Sequence, residues 1–305
     1  MNRLIRLACA LLLLVPACGE PAERTPGAAV DTTTSTEPAA IVVDQQPQDS
    51  VIAEQRLAWV RQNRLDTLPI GELTARIGRT FVGAPYVPGT LEAEGAERLI
   101  VNLRTFDCVT FVENSLALAR TAKLGGGYDE FKEQLLLIRY RGGKLNGYPS
   151  RLHYFSEWIS NNEAKGIVRN ITRELGGVEE REPIRFMTTN AEKYRQLSDT
   201  SVLRAIRETE EHLSQTPRYY IPEDRIASVA SRIEDGDVIA ATSVERGLDV
   251  VHTGLALWVN NQLHLMHAPL VGKSVEISEL PLAERIKSIK TQDGIMVARP
   301  LEVRR

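Results

Sequence analysis

The sequence predicts an α+β fold: a helical first half, with a cysteine at a helix N-terminus, packed on an antiparallel β-sheet built from the last third. Three observations carry this. Apolar residues recur at helical spacing as far as Leu213, then at the period of strands from Asp237 onward. Helices first and strands after is the order of an α+β domain, not of alternating βαβ units. The pair Asp107-Cys108 stands directly before a helical run, and Cys108 is the only cysteine after residue 18.

The first residues, MNRLIRLACALLLLVPACGEP, read as an export signal. Arg3 and Arg6 form a basic start, and Leu7 to Val15 an apolar core too short to span a bilayer as a mature helix. Val15-Pro16-Ala17-Cys18 resembles a bacterial lipobox, so residues 1–18 are expected to be a lipoprotein signal. Cys18 would then carry acyl chains that hold the protein on a membrane without a spanning helix. Gly19, in place of an aspartate, points to the periplasmic face of the outer membrane. Residues 19–50 are rich in Thr, Pro, Ala and acids and poor in large apolar groups. They cannot bury enough surface to offset ordering entropy and are expected to form a disordered tether. Residues 51–305 are expected to form one large domain. The formal charge is −3 with no basic block, which gives nucleic-acid binding no footing.

Along the domain, Leu57, Val60 and Leu65, then Leu73, Ile77 and Phe81, mark two helices. The loop Gly83 to Gly89 follows. From Cys108, the residues Val109, Val112, Leu116 and Ala119 line one helix face. Gly125-Gly126-Gly127 precedes Tyr128-Asp129, not Gly-Lys-Ser, and is a turn rather than a phosphate loop. Further helices are predicted at Tyr128–Ile138, His153–Asn161 and Val202–Leu213, and strands at 237–241, 249–259, 263–268 and 294–298. The charged run Glu179 to Glu182 reads as a solvated loop.

An exported chain tends to pair or avoid thiols, so a lone cysteine needs a reason. At a helix N-terminus the dipole lowers the thiol pKa, and a nearby imidazolium lowers it further. Five histidines could supply that ring: His153, His212, His252, His264 and His267. Asn260-Asn261 fits a two-residue type I′ turn, because both residues tolerate positive φ. Trp258 then faces Leu263 and Gly254 faces His267. His252 and His267 become same-face diagonal neighbours, about 7–8 Å apart, while His264 falls on the other face. This is the pattern of a nucleophile, a base and an orienter: Cys108, His252 and His267. Backbone N–H groups at the helix start would receive the oxyanion. The plainer readings are a small buried cysteine and structural strand histidines.

These motifs resemble the NlpC/P60 cysteine peptidases. Phe81 to Val87 is similar to their segment before the nucleophile, Asp107-Cys108 to their Asp-Cys pair, Val251 to Ala256 to the base-bearing strand, and Met266-His267-Ala268 to the strand with the third polar residue. The blocks Arg104–Glu113, Ser150–Ile159, Phe186-Met187, Gly236–Ile239 and Ile289–Arg299 more closely resemble the DUF1460, N-acetylmuramoyl-L-alanine amidase-like branch, over roughly Leu73 to Pro300. The resemblance implies a papain-like fold and cleavage of the amide between muramic acid and L-alanine in peptidoglycan fragments, anhydro-muropeptides above all. It implies Cys108, His252 and His267 as the catalytic set. Tyr86, Asp107, Thr110, Arg151, His153 and Tyr154 are expected around the substrate. Val109-Thr110 departs from the Ser-Gly common after Asp-Cys in the wider superfamily. No cofactor or metal is implied. The alternatives are an endopeptidase cutting next to D-glutamate, a zinc amidase using His264, His267 and Asp249, and a non-catalytic wall-binding lipoprotein.

Overall fold

The computed structural model of the protein describes residues 41–270 and 273–304. The export signal, the lipobox with Cys18 and most of the expected tether lie outside these residues. Order begins before the expected boundary at residue 51. Strand β1 (Val43–Asp44) pairs in parallel with β2 (Leu99–Ile100), and helix α1 (Pro47–Gln62) starts on a proline at its first turn. The buried carboxylate of Asp49 explains the early start. It accepts from the backbone N–H of Gln46 at 2.8 Å and of Leu103 at 2.9 Å. Residues 41–50 therefore belong to the domain and not to a tether.

Helices α2 (Ile70–Arg79), α3 (Cys108–Leu124), α4 (Tyr128–Arg139) and α5 (Phe155–Ala164) follow as the periodicity predicts. Phe81 lies just past α2, and His153 lies two residues before α5. Helix α3 is buried along most of its length. Phe111, Val112, Leu116 and Ala119 are fully enclosed, and Gly125 ends the helix with a φ of 72° that favours glycine. A buried ion pair, Arg139 Nε to Glu113 at 2.7 Å, ties α4 to α3.

The chain then lays down β3 (Val168–Asn170), β4 (Val178–Glu180), α6 (Phe186–Thr189), α7 (Thr200–Gln215), β5 (Arg218–Pro222) and α8 (Ile226–Val229). The last third supplies β6 (Val238–Ser243), β7 (Val250–Val259), β8 (Gln262–His267), β9 (Glu276–Ile277), α9 (Leu282–Ser288) and β10 (Gln292–Pro300). The main sheet runs β4-β5-β10-β6-β7-β8-β9, with β3 also on β10, and every pairing in it is antiparallel. Glu179 and Glu180, read from sequence as loop, form the short charged strand at one edge, a usual guard against edge-to-edge pairing.

Alternation along the strands gives the sheet two apolar faces. Val238, Ala240, Leu255, Leu257 and Met266 join the core of α2 and α3. Ile239, Ala241, Ala256 and Leu265 pack with Leu282 and Ile286 of α9. A third cluster, around Tyr148, Tyr154, Met187 and Ile206, seats α6 and α7. Among the described residues no helix is long and apolar enough to cross a membrane.

Candidate active site

Cys108 is the first residue of α3, held there by a reciprocal cap. The Asp107 carboxylate accepts from the Thr110 backbone N–H and hydroxyl, each at 2.8 Å, while the Asp107 N–H donates to the Thr110 hydroxyl at 3.0 Å. Thr110 is thus occupied in fixing the helix start, and its buried hydroxyl is not offered to a ligand. The other Asp107 oxygen accepts from Thr90 at 3.3 Å. Tyr86 is brought in by its loop, which bridges to Phe106 on one side and, through its N–H at 3.0 Å, to the Lys273 carbonyl on the other. Burial, then the neighbouring Cys108 and Asp107, push the Tyr86 phenol up to about 12.

The hairpin geometry follows the turn chemistry. Asn260 and Asn261 have φ of 49° and 64°, and Trp258 pairs with Leu263. His252 Nε2 lies 2.8 Å from His267 Nδ1, with the rings edge to face. His267 Nε2 is 3.9 Å from Glu276, its cross-strand partner on β9. A carboxylate beside Nε2 favours the His267 tautomer with hydrogen there. In that tautomer His267 Nδ1 accepts from His252 Nε2–H and His252 keeps a lone pair on Nδ1; the 2.8 Å contact itself fits either donor.

Neighbouring positions on β7 point to opposite sides. Thr253 reaches α3, where its hydroxyl donates to the Cys108 carbonyl at 2.8 Å, and His252 reaches His267. Among the described residues no hydrogen bond runs directly from Cys108 to His252. The structure joins them through the adjacent residue Thr253. The charge states also differ from the sequence expectation. Burial, then Asp107, push the Cys108 thiol up to about 11, against the Thr253 donors that favour the thiolate. Burial, then Arg285 of α9, lower His252 to about 3. Burial, then His252 and Arg285, lower His267 to about 2. The resting pair is a neutral thiol and a neutral imidazole, because desolvation outweighs the helix dipole.

The remaining predicted residues form a second group. Asp107 and Val109 border a cavity of 220 Å³ that Arg151, His153 and Tyr154 also line. Arg151 is held by Glu92 at 2.7 Å and Glu97 at 3.1 Å. The Tyr154 hydroxyl donates to Glu210 at 2.6 Å and accepts from the Met187 N–H at 2.8 Å, so only its ring is left for a ligand. His264, on the opposite face as expected, uses Nδ1 on the Ser278 carbonyl at 2.8 Å. Asp249 accepts from the Ser156 N–H at 2.7 Å. His264, His267 and Asp249 therefore do not form a zinc-binding set. Sequence reasoning missed Thr253, Glu276 and Arg285. Only Thr253 carried a signal, by adjacency to His252.

The AmiA-like family model, described as N-acetylmuramoyl-L-alanine amidase-like, matches residues 76–295. An N-acetylmuramoyl-L-alanine amidase from Bacteroides uniformis is 36% identical, with a TM-score of 0.73 over 76% of this chain and 99% of its own. A putative xylanase from Bacteroides fragilis is also 36% identical, with a TM-score of 0.70 over 73% of this chain and 99% of its own. A Legionella pneumophila protein of the DUF1460 family shares the fold at 22% identity, with a TM-score of 0.62 over 83% of this chain and 95% of its own. Among curated proteins none matches significantly. With a family match over most of its length, spanning every residue of the site, the chain belongs to the N-acetylmuramoyl-L-alanine amidase-like family.

Proposed function

We propose that this protein is a cell-wall amidase that hydrolyses the amide between N-acetylmuramic acid and L-alanine in peptidoglycan fragments, anhydro-muropeptides among them. Cys108 is the nucleophile, His252 the base and His267 its orienter, on a papain-like frame of the NlpC/P60 kind. The observation that carries the reading is the 2.8 Å contact between His252 Nε2 and His267 Nδ1, on the residue next to the one that grips Cys108. It leaves His252 Nδ1 as a base, and the reading requires that ring to meet the Cys108 thiol in the substrate complex, where catalytic hydrogen bonds long in the free enzyme often tighten.

Cys108 Sγ attacks the lactyl carbonyl while its proton moves to His252 Nδ1. Backbone N–H groups at the start of α3 receive the oxyanion. The C–N bond breaks as His252 returns the proton to the alanine nitrogen, leaving a thioester. Water, deprotonated by His252, attacks the thioester, and the thiol regains its proton. In the cell, acylation of Cys18 would tether this domain to a membrane on the exported side.

The test is mass spectrometry of products from disaccharide-peptides in reducing and anhydro forms. Free sugar plus a peptide beginning with L-alanine is the expected result. Cys108→Ala should lower turnover by about 10⁶-fold, as loss of a triad nucleophile does, with an unchanged circular dichroism spectrum. Cleavage beyond D-glutamate, or activity retained by Cys108→Ala, overturns the reading.

A further inference from the structure

The cavity beside the Cys108 cap holds a buried hydroxyl with nothing to bond. Tyr148 is 5% exposed, lines that cavity, and its hydroxyl has no hydrogen-bond partner among the described residues. A buried, unpaired phenol is costly unless something arrives to accept from it. Next to it, His153 Nε2 lies 2.9 Å from the Tyr148 carbonyl, and the two rings sit 4.3 Å apart. A carbonyl only accepts, so Nε2 carries the hydrogen and Nδ1 presents a lone pair. Burial, then Arg151, hold His153 well below its ordinary pKa, so the ring stays neutral. The cavity therefore offers one neutral donor and one neutral acceptor, side by side.

Its charges are already spent on one another. Arg151 is paired with Glu92 and Glu97 and stacked on the Tyr148 ring at 4.9 Å. The other lining arginine, Arg139, is paired with Glu113. Asp107 adds a further carboxylate to the lining. An anionic ligand would meet no free cation here and would face three lining carboxylates. The volume of 220 Å³ lies below the range of about 300–1,000 Å³ that takes a whole small ligand. It suits a single ring or residue.

We propose that this cavity is a subsite for a neutral secondary amide, the acetamido group of an N-acetylated sugar, with Tyr148 donating to its carbonyl oxygen and His153 Nδ1 accepting from its N–H. The proposal rests on the amidase reading for the direction of the chain: the sugar side occupies this cavity, and the carboxylate-bearing peptide leaves on the other side of Cys108.

The experiment compares kcat/KM for a muramoyl-L-alanyl peptide with its N-deacetylated counterpart. The wild type is expected to prefer the acetylated substrate by at least about 10-fold, the scale of one or two neutral hydrogen bonds left unmade. Tyr148→Phe should lose about that factor on the acetylated substrate only. In parallel, Cys108→Ala, with and without Tyr148→Phe, is titrated calorimetrically with N-acetylmuramic acid and with muramic acid. Acetyl-selective binding that needs the Tyr148 hydroxyl supports the subsite even if neither substrate is cleaved, an outcome that would sink the amidase reading alone. Equal handling of both sugars by the wild type overturns the subsite whatever the variant does. So does a Tyr148→Phe effect of equal size on both substrates.

Discussion

Cys108 stands between two opposed influences. The helix start and the Thr253 donors favour a thiolate, while burial and the Asp107 carboxylate favour the thiol, and the second pair prevails. A measurable consequence is the pH dependence of alkylation. With the thiol pushed up to about 11, the rate with iodoacetamide should keep climbing through pH 9. A plateau reached below pH 7 would instead reveal a resting thiolate–imidazolium pair. The place of Cys108 at a helix start and the meeting of His252 with His267 could be read from the sequence because each belongs to a short-range pattern: a residue before a helical face, and two strand positions set by one turn. Tyr148, Thr253 and Glu276 could not. Thr253 meets Cys108 and Glu276 meets His267 only after distant segments pack. Tyr148 stands out by a hydroxyl with no hydrogen-bond partner among the described residues, which no sequence displays. Arg151 and Tyr154 were expected near the substrate only through the family resemblance, and their engagement by Glu92, Glu97 and Glu210 was not legible at all.

The hairpin of β7 and β8 is the element on which the histidine pair depends. Its two left-handed asparagines set a pairing in which Gly254 lies across from His267, close enough that a Cβ at Gly254 would come within 2.9 Å of that side chain. A one-residue change of register sends a strand's side chains to the other face. Inserting a single glycine between Asn260 and Asn261 should therefore separate His252 from His267. The expected loss in kcat/KM is at least about 10²-fold, the scale of a misplaced catalytic group, with the far-ultraviolet circular dichroism retained. Full activity would mean that the strands, not the turn, hold the register. This hairpin was legible because turn chemistry and alternation agreed. Strands β3, β4 and β5 were not: β3 and β4 are only three residues long, β5 ends on a proline, and all three owe their pairing to β10 or to one another. The start of α1 was hidden for a related reason: a buried carboxylate, Asp49, does the work there that an apolar residue usually does.

On the scale of the whole molecule, two neutral imidazoles form part of the interior. His252 and His267 are 7% and 2% exposed, so the folded chain resists protonating them. Their ordinary pKa is near 6.5, and in the fold they fall to about 3 and about 2. Above pH 6.5 both rings are neutral folded or unfolded, and this contribution to stability is fully present. Below it the unfolded chain binds protons that the folded chain cannot, so stability is lost as pH falls towards 3. The buried carboxyls act the other way: Glu113 and Asp249 are raised by burial, so the fold takes up their protons before the unfolded chain does. The overall acid profile mixes the two, and a comparison isolates the histidines. Wild type and the double variant His252→Gln with His267→Asn are each melted at pH 7.5 and pH 5. The wild type should lose more Tm between those values than the variant, because only it has the two rings to protonate. An equal loss in both proteins would mean that the histidines are already accessible to solvent protons in the folded state, and the neutral resting pair at the site would have to be abandoned with them.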